Sequence, residues 1–237
     1  YGPPGVPPGD PHGAVRRYEH RCGPVKGETS VTGETYCASP SPSIGHAAMS
    51  SDTALDETRI ARLAPLIDRP IVLVGLMGVG KSTVGRRLAA MLGRGFVDAD
   101  EAIEQAAHRS IAEIFEEFGE SYFRDGERRV IARLIEEEAG VIATGGGAFV
   151  DGETRALILG RAIAVWIDCD IETLVERTSR RSNRPLLRNG NPREILTKLA
   201  RERREFYAQA PVRVQSVDGP HADTARAILK AIEDHLG

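Results

Sequence analysis

From about residue 68 onward, apolar and polar positions alternate in blocks, and the period of the alternation changes from block to block. Apolar-rich segments at Ile71–Gly75, Gly95–Asp98, Val141–Thr144, Ala162–Asp168 and Val212–Val217 predict short strands. Between them, apolar residues recur with a helical period. That predicts helices ending near Leu92, then at Glu101–Ala107, Ile111–Phe118, Glu120–Glu138, Asp151–Leu159, Ile171–Arg177, Arg193–Ala208 and Asp223–Leu236. Two stripes are clear: Phe123, Val130, Ile131 and Leu134; and Ala225, Ile228, Leu229, Ile232 and Leu236. Apolar strands alternating with helices imply an α/β fold, a parallel sheet covered on both faces, with the ligand beyond the carboxyl ends of its strands. Upstream, Ile60, Leu63 and Leu66 form a weaker stripe that Pro65 interrupts, which predicts a short accessory helix.

The first 48 residues have no such period and are rich in Gly, Pro, Ser and Thr. They cannot bury enough apolar surface to offset the entropy of ordering, so residues 1–48 are expected to be a disordered leader. Met49 is a candidate native start; residues 49–68 form a short extension with the accessory helix, and 69–237 form a single phosphate-loop domain. Net charge is −3 and the pI about 6.1, which argues against a general nucleic-acid binder. Cys22 and Cys37 fall in the leader and Cys169 stands alone, neither a disulfide framework nor a zinc site. With no apolar run of membrane-spanning length and no signal-peptide core, the expectation is a cytoplasmic protein that needs no membrane.

The first strand runs into Gly75-Leu-Met-Gly-Val-Gly-Lys-Ser82, a complete GxxxxGK[ST] loop between a strand and a helix. Gly75, Gly78 and Gly80 allow the tight turn that aims successive N–H groups inward as an anion nest. Lys81 supplies a point charge for the β- and γ-phosphates, and the Ser82 hydroxyl is placed for Mg²⁺. Gly78, Val79, Gly80, Lys81, Ser82 and Thr83 are therefore the expected nucleotide contacts.

Other residues suit an acceptor. Asp98 and Asp100 close the second strand; two apart on an extended segment, they point the same way, one toward a metal and the other toward an attacking hydroxyl. A helix N-cap would use Asp100 equally well. Asp168, ending another apolar strand, rivals Asp98 as metal ligand, although Asp168 and Asp170 also suit a cap for the following helix. Arg124 and Glu127 share a helix face beside Phe123, which fits either a carboxylate grip or a surface ion pair. Gly145, Gly146 and Gly147 follow the third strand, where bare backbone admits a close ligand. Residues 177–193 carry six arginines and no acid, fitting a flap that closes on phosphates, with Arg184 before Pro185 the best-fixed candidate.

The phosphate loop, Asp98-Ala-Asp100, Phe123-Arg124-x-x-Glu127, Gly145-Gly-Gly147, Arg184-Pro-Leu-Leu and Arg203-Arg-Glu-Phe-Tyr207 together resemble shikimate kinase over about residues 70–235. The resemblance implies a three-layer P-loop kinase fold, a five-stranded parallel sheet in order 2-3-1-4-5 with a mobile lid. It implies transfer of the γ-phosphoryl group of ATP to the 3-hydroxyl of shikimate, with Mg²⁺, in the chorismate route to aromatic amino acids, by a monomer. On this resemblance Lys81, Asp100 and Arg184 are catalytic, and Arg177 and Arg184 join the ATP contacts. Asp100, Arg124, Glu127, Gly145, Gly146, Gly147, Arg203, Phe115 and Phe123 bind shikimate. Ser82 and Asp98 hold the metal, which favours Asp98 over Asp168. A gluconate or nucleoside-monophosphate kinase shares the scaffold, but the twin arginines and Asp98-Ala-Asp100 argue against a nucleotide acceptor. A regulatory nucleotide switch is disfavoured because no [NT]KxD guanine-reading motif follows the loop.

Overall fold

A computed structural model describes residues 56–137, 140–179, 190–216 and 219–237. The expected leader (residues 1–48) and the expected lid arginine, Arg184, lie outside the described residues. Five strands, β1 (Ile71–Val74), β2 (Phe96–Asp98), β3 (Val141–Ala143), β4 (Ile163–Asp168) and β5 (Val212–Gln215), form one sheet in the order β2-β3-β1-β4-β5. Every pairing is parallel, as the alternation with helices requires. The helices are α1 (Glu57–Leu63), α2 (Lys81–Leu92), α3 (Ala99–Ala107), α4 (Ile111–Glu136), α5 (Gly152–Arg161), α6 (Ile171–Ser179), α7 (Pro192–Tyr207) and α8 (His221–Leu236).

Ile71, Val72, Leu73 and Val74 of β1 are fully buried, because a central parallel strand is covered on both faces. Each such side chain contributes about 1.5–3 kcal/mol by leaving water. The edge strand β5 follows the alternation of its sequence: Val212 and Val214 are buried, Arg213 and Gln215 exposed. Helix α2, which starts at the phosphate loop, lies tight on the sheet at Gly85. A Cβ there would come within 2.5 Å of the Phe96 ring and 3.1 Å of Leu73. Glycine costs a helix interior about 1 kcal/mol relative to alanine, and here close packing offsets it.

Around α1 the expected stripe needs correction. Ile60 and Leu63 are buried, but Leu66 is 65 % exposed. The chain tightens into a 3₁₀ turn over Ala64–Leu66 around Pro65, which turns Leu66 outward while Ile67 enters the core. Arg94 satisfies the end of that turn by donating to the carbonyls of Ala64 and Ile67. Arg59 ties α1 to Glu233 of α8 through contacts of 3.0 and 2.9 Å.

The two helices expected around residue 119 form α4, broken at Gly119, where φ is 79° and ψ is 176°. Such a backbone suits glycine alone. Ile103, Ile114 and Phe123 form a small core of their own, with Phe115 packed against it. That satellite core carries one wall of the site described next. No helix among the described residues is long and apolar enough to cross a membrane.

Candidate active site

The phosphate loop leaves β1 and turns through Gly75, Gly78 and Gly80 at φ of 137°, 89° and 95°, angles that side chains rarely tolerate. The α2 N-terminus therefore opens directly onto the loop, presenting backbone N–H groups and the positive end of its dipole. Lys81 is buried and folds back over its own loop, donating to the carbonyls of Gly75 at 2.8 Å and Leu76 at 2.9 Å. Val79 is buried under the loop, and Thr83 is exposed on the first turn of α2. The Arg177 guanidinium donates to Ser216 Oγ at 3.0 Å and to the Val79 carbonyl at 3.5 Å, which sets it against the loop's outer edge. Arg193 pairs with Glu172, so the two described ends of the arginine-rich segment are partnered rather than uniformly unpaired.

Ser82 Oγ donates to Asp98 Oδ2 at 2.6 Å, and Asp98 Oδ1 accepts from the Asp100 N–H at 3.1 Å. The picture of two carboxylates on one extended segment is thereby corrected. The strand ends at Asp98, which caps α3, and Asp100 already lies in the first helical turn. Helix geometry rather than strand alternation aims the Asp100 carboxylate. Asp168, the rival metal ligand, is taken up by Arg213 at 2.6 Å and by the Cys169 N–H at 2.9 Å. Asp170 caps α6 through Thr173.

The loop at residues 145–147 joins the two sides. A Cβ on Gly145 would stand 2.8 Å from Asp100 Oδ1 and 3.2 Å from Glu127 Oε1. On Gly146 it would meet Arg203 Nη1 and the Met77 N of the phosphate loop, each at 3.4 Å. On Gly147 it would overlap the Arg124 guanidinium. Arg124, from α4, and Arg203, from α7, thus converge on one bare stretch of backbone beside the phosphate cradle. Arg203 Nη1 donates to the Gly146 carbonyl at 2.9 Å. Arg124 pairs with Glu127 at 2.6 Å and with Glu120 at 3.2 Å, and lies 5.2 Å from the centre of the Phe123 ring. The Phe115 and Phe123 rings stand 4.5 Å apart as a tilted aromatic pair, with Phe123 the ring beside the guanidinium.

Electrostatics separate these groups. Burial raises the Asp100 pKa above its ordinary range and Asp98 adds to the effect, while Lys81 and Arg124 oppose it. Burial also raises that of Glu127, which is only 1 % exposed, and Arg124 pulls it back. For Arg124 burial works against the charge, but Glu127 and Glu120 outweigh it. The wall therefore holds a permanent cation braced by a buried carboxylate, next to a carboxylate primed to take a proton. Such a set is chemically suited to bind a small anion at one end and to accept a proton from its hydroxyl at the other.

One polar residue drew no role from the sequence. Tyr207 is buried and donates to the same Gly146 carbonyl that Arg203 reaches. Its signal was the four-residue spacing from Arg203, which puts both on one helix face.

Residues 77–233 match the family model described as shikimate kinase. The shikimate kinase of Novosphingobium aromaticivorans is 59 % identical over 193 residues, covering 79 % of this chain and all of that protein. That of Caulobacter vibrioides is 59 % identical over 170 residues, 72 % of this chain and 85 % of that one. A solved shikimate kinase from Acinetobacter baumannii in complex with shikimate has a TM-score of 0.68 at 39 % identity, covering 73 % of this chain and 97 % of that chain.

Proposed function

The chain belongs to the shikimate kinase family and phosphorylates shikimate with ATP in aromatic amino acid biosynthesis, and on that premise we propose how its residues divide the work. The γ-phosphoryl group goes to the 3-hydroxyl. Arg124 and Arg203 hold the shikimate carboxylate over Gly145–Gly147, with Glu127 fixing the Arg124 fork and Phe115 and Phe123 walling the ring. Asp100 accepts the hydrogen bond of the reacting hydroxyl, orients it toward the γ-phosphorus and takes its proton. Phosphoryl transfer of this kind depends on alignment and charge neutralisation more than on base strength. Lys81 exchanges the carbonyls of Gly75 and Leu76 for the β- and γ-phosphate oxygens, and the N–H groups from Gly78 to Thr83 cradle the rest. Arg177 flanks the nucleotide, and Arg184 closes over the transferring group.

The donor set next to the cradle suits Mg²⁺. Ser82 Oγ and Asp98 Oδ2 are hard oxygens 2.6 Å apart at the mouth of the phosphate loop. Among the described residues no cluster of three or more His, Cys, Asp or Glu could hold a metal unaided. Mg²⁺ typically takes one or two protein oxygens and completes its shell with phosphate and water, so the sparse set fits. Ser82 and Asp98 would hold the ion, Asp98 directly or through water, and it would neutralise charge on the phosphates. The same reading has the chain working as a monomer in the cytoplasm, where ATP is supplied.

The observation that carries this reading is the convergence of Arg124 and Arg203 on one glycine loop that also touches Asp100 and the phosphate cradle. Release of ADP measured with shikimate, gluconate or AMP as acceptor tests it. Fast release with shikimate alone is expected; equal rates with another acceptor, or with none, would overturn the assignment.

A further inference from the structure

Tyr207 ends α7, one turn beyond Arg203. Its ring is buried and packs against Trp166 of β4, with centroids 6.0 Å apart. Its hydroxyl donates to the Gly146 carbonyl, the oxygen that also accepts Arg203 Nη1 at 2.9 Å. One helix therefore sends two donors to a single acceptor, filling both of its lone pairs.

The geometry has a consequence for the loop. A run of three glycines has unusually wide backbone freedom, and nothing in its own side chains fixes the plane of a peptide. The peptide linking Gly146 to Gly147 is trans, so its C=O and N–H point in opposite directions. Holding the Gly146 carbonyl toward α7 turns the Gly147 N–H away from α7. Rotation of that peptide would swing this donor and release Arg203 together.

We propose that Tyr207 is a positioning residue for the acceptor: its hydroxyl locks the Gly146–Gly147 peptide and with it the angle at which Arg203 meets the carboxylate. This rests on the reading that Arg203 and the glycine loop line the shikimate site. Tyr207 touches no reacting atom.

Tyr207→Phe tests it, because the ring and its packing on Trp166 are kept and only the donor is lost. The KM for shikimate is expected to rise about fivefold to tenfold, the size of one lost hydrogen bond, while the KM for ATP stays within about twofold. In an Arg203→Ala background the same substitution is expected to add less than about twofold, since both residues act on one carbonyl. Calorimetric titration with shikimate reads the same loss without turnover. An unchanged shikimate KM, a matching rise in both KM values, or full additivity with Arg203→Ala would overturn the role. If Arg203→Ala leaves the shikimate KM unaltered, the acceptor assignment itself fails. If Arg203→Ala raises it and Tyr207→Phe does not, only the positioning role is lost.

Discussion

The nucleotide cradle and the acceptor wall meet at Gly146, yet they are built in opposite ways. The cradle is one contiguous stretch, residues 75–83, in which positive-φ glycines set the shape and backbone N–H groups are proposed to do most of the binding. The wall draws Asp100, Arg124, Glu127, Gly145–Gly147 and Arg203 from α3, α4, the loop after β3, and α7, and its chemistry lies in charged side chains. A site made of backbone tolerates change in most side chains. One made of converging charges fails when a single partner leaves, because the others stay buried and unpaired.

Substitutions can break that contrast or sharpen it. The largest effect is expected where the cradle does rely on a side chain: Lys81→Met should lower kcat by about 10²- to 10³-fold in steady-state assays, as for other lost donors to a developing charge. Asp100→Asn should cost about 10²-fold in kcat with the KM for ATP unchanged, and a near-normal kcat would refute its role. Arg124→Ala should raise the KM for shikimate about 30-fold, the scale of a lost charge-assisted bond, and should lower Tm because Glu127 is left alone. Adding Glu127→Gln should restore Tm but not KM, which separates the wall's stability from its binding.

The pH dependence is a subtler test. In the proposed role Asp100 has to be ionised to orient the hydroxyl, and burial holds its pKa above the ordinary 3.8. The rate with shikimate should therefore fall as pH drops through that raised value, with its acid limb above 3.8. Stability moves the other way. Below pH 3.8 the carboxyl is protonated in both the folded and unfolded chains and costs nothing. As pH rises toward the folded-state value the unfolded chain ionises first, so folding loses stability across that window. Unfolding midpoints for Asp100→Asn should lack this slope. Outside both regions, Arg59→Ala should lower Tm by about 2–4 °C and leave both KM values alone, because a half-exposed ion pair contributes about 1 kcal/mol at most.

The same contrast explains what could be read before any coordinates. Strand and helix periods gave the α/β class and the break at Gly119, and the cradle was legible because its residues are neighbours in sequence. Local spacing could not show that Arg203 would meet Gly146, 57 positions away. That pairing entered only through resemblance to a family. Spacing misled at Asp98 and Asp100, where the helix begins at Ala99, two residues sooner than the expected start at Glu101. It misled again at Leu66, where a proline changes the helix type. Asp168 was separated from Asp98 by Arg213, an edge-strand partner that no motif announces.

Calorimetric titration of shikimate and of its methyl ester, against the unaltered chain and against Arg203→Ala, tests the central claim that the arginine pair reads a carboxylate. The account predicts that the unaltered chain prefers the acid by about 30-fold or more and that Arg203→Ala loses most of that preference. An equal preference in both proteins would contradict it.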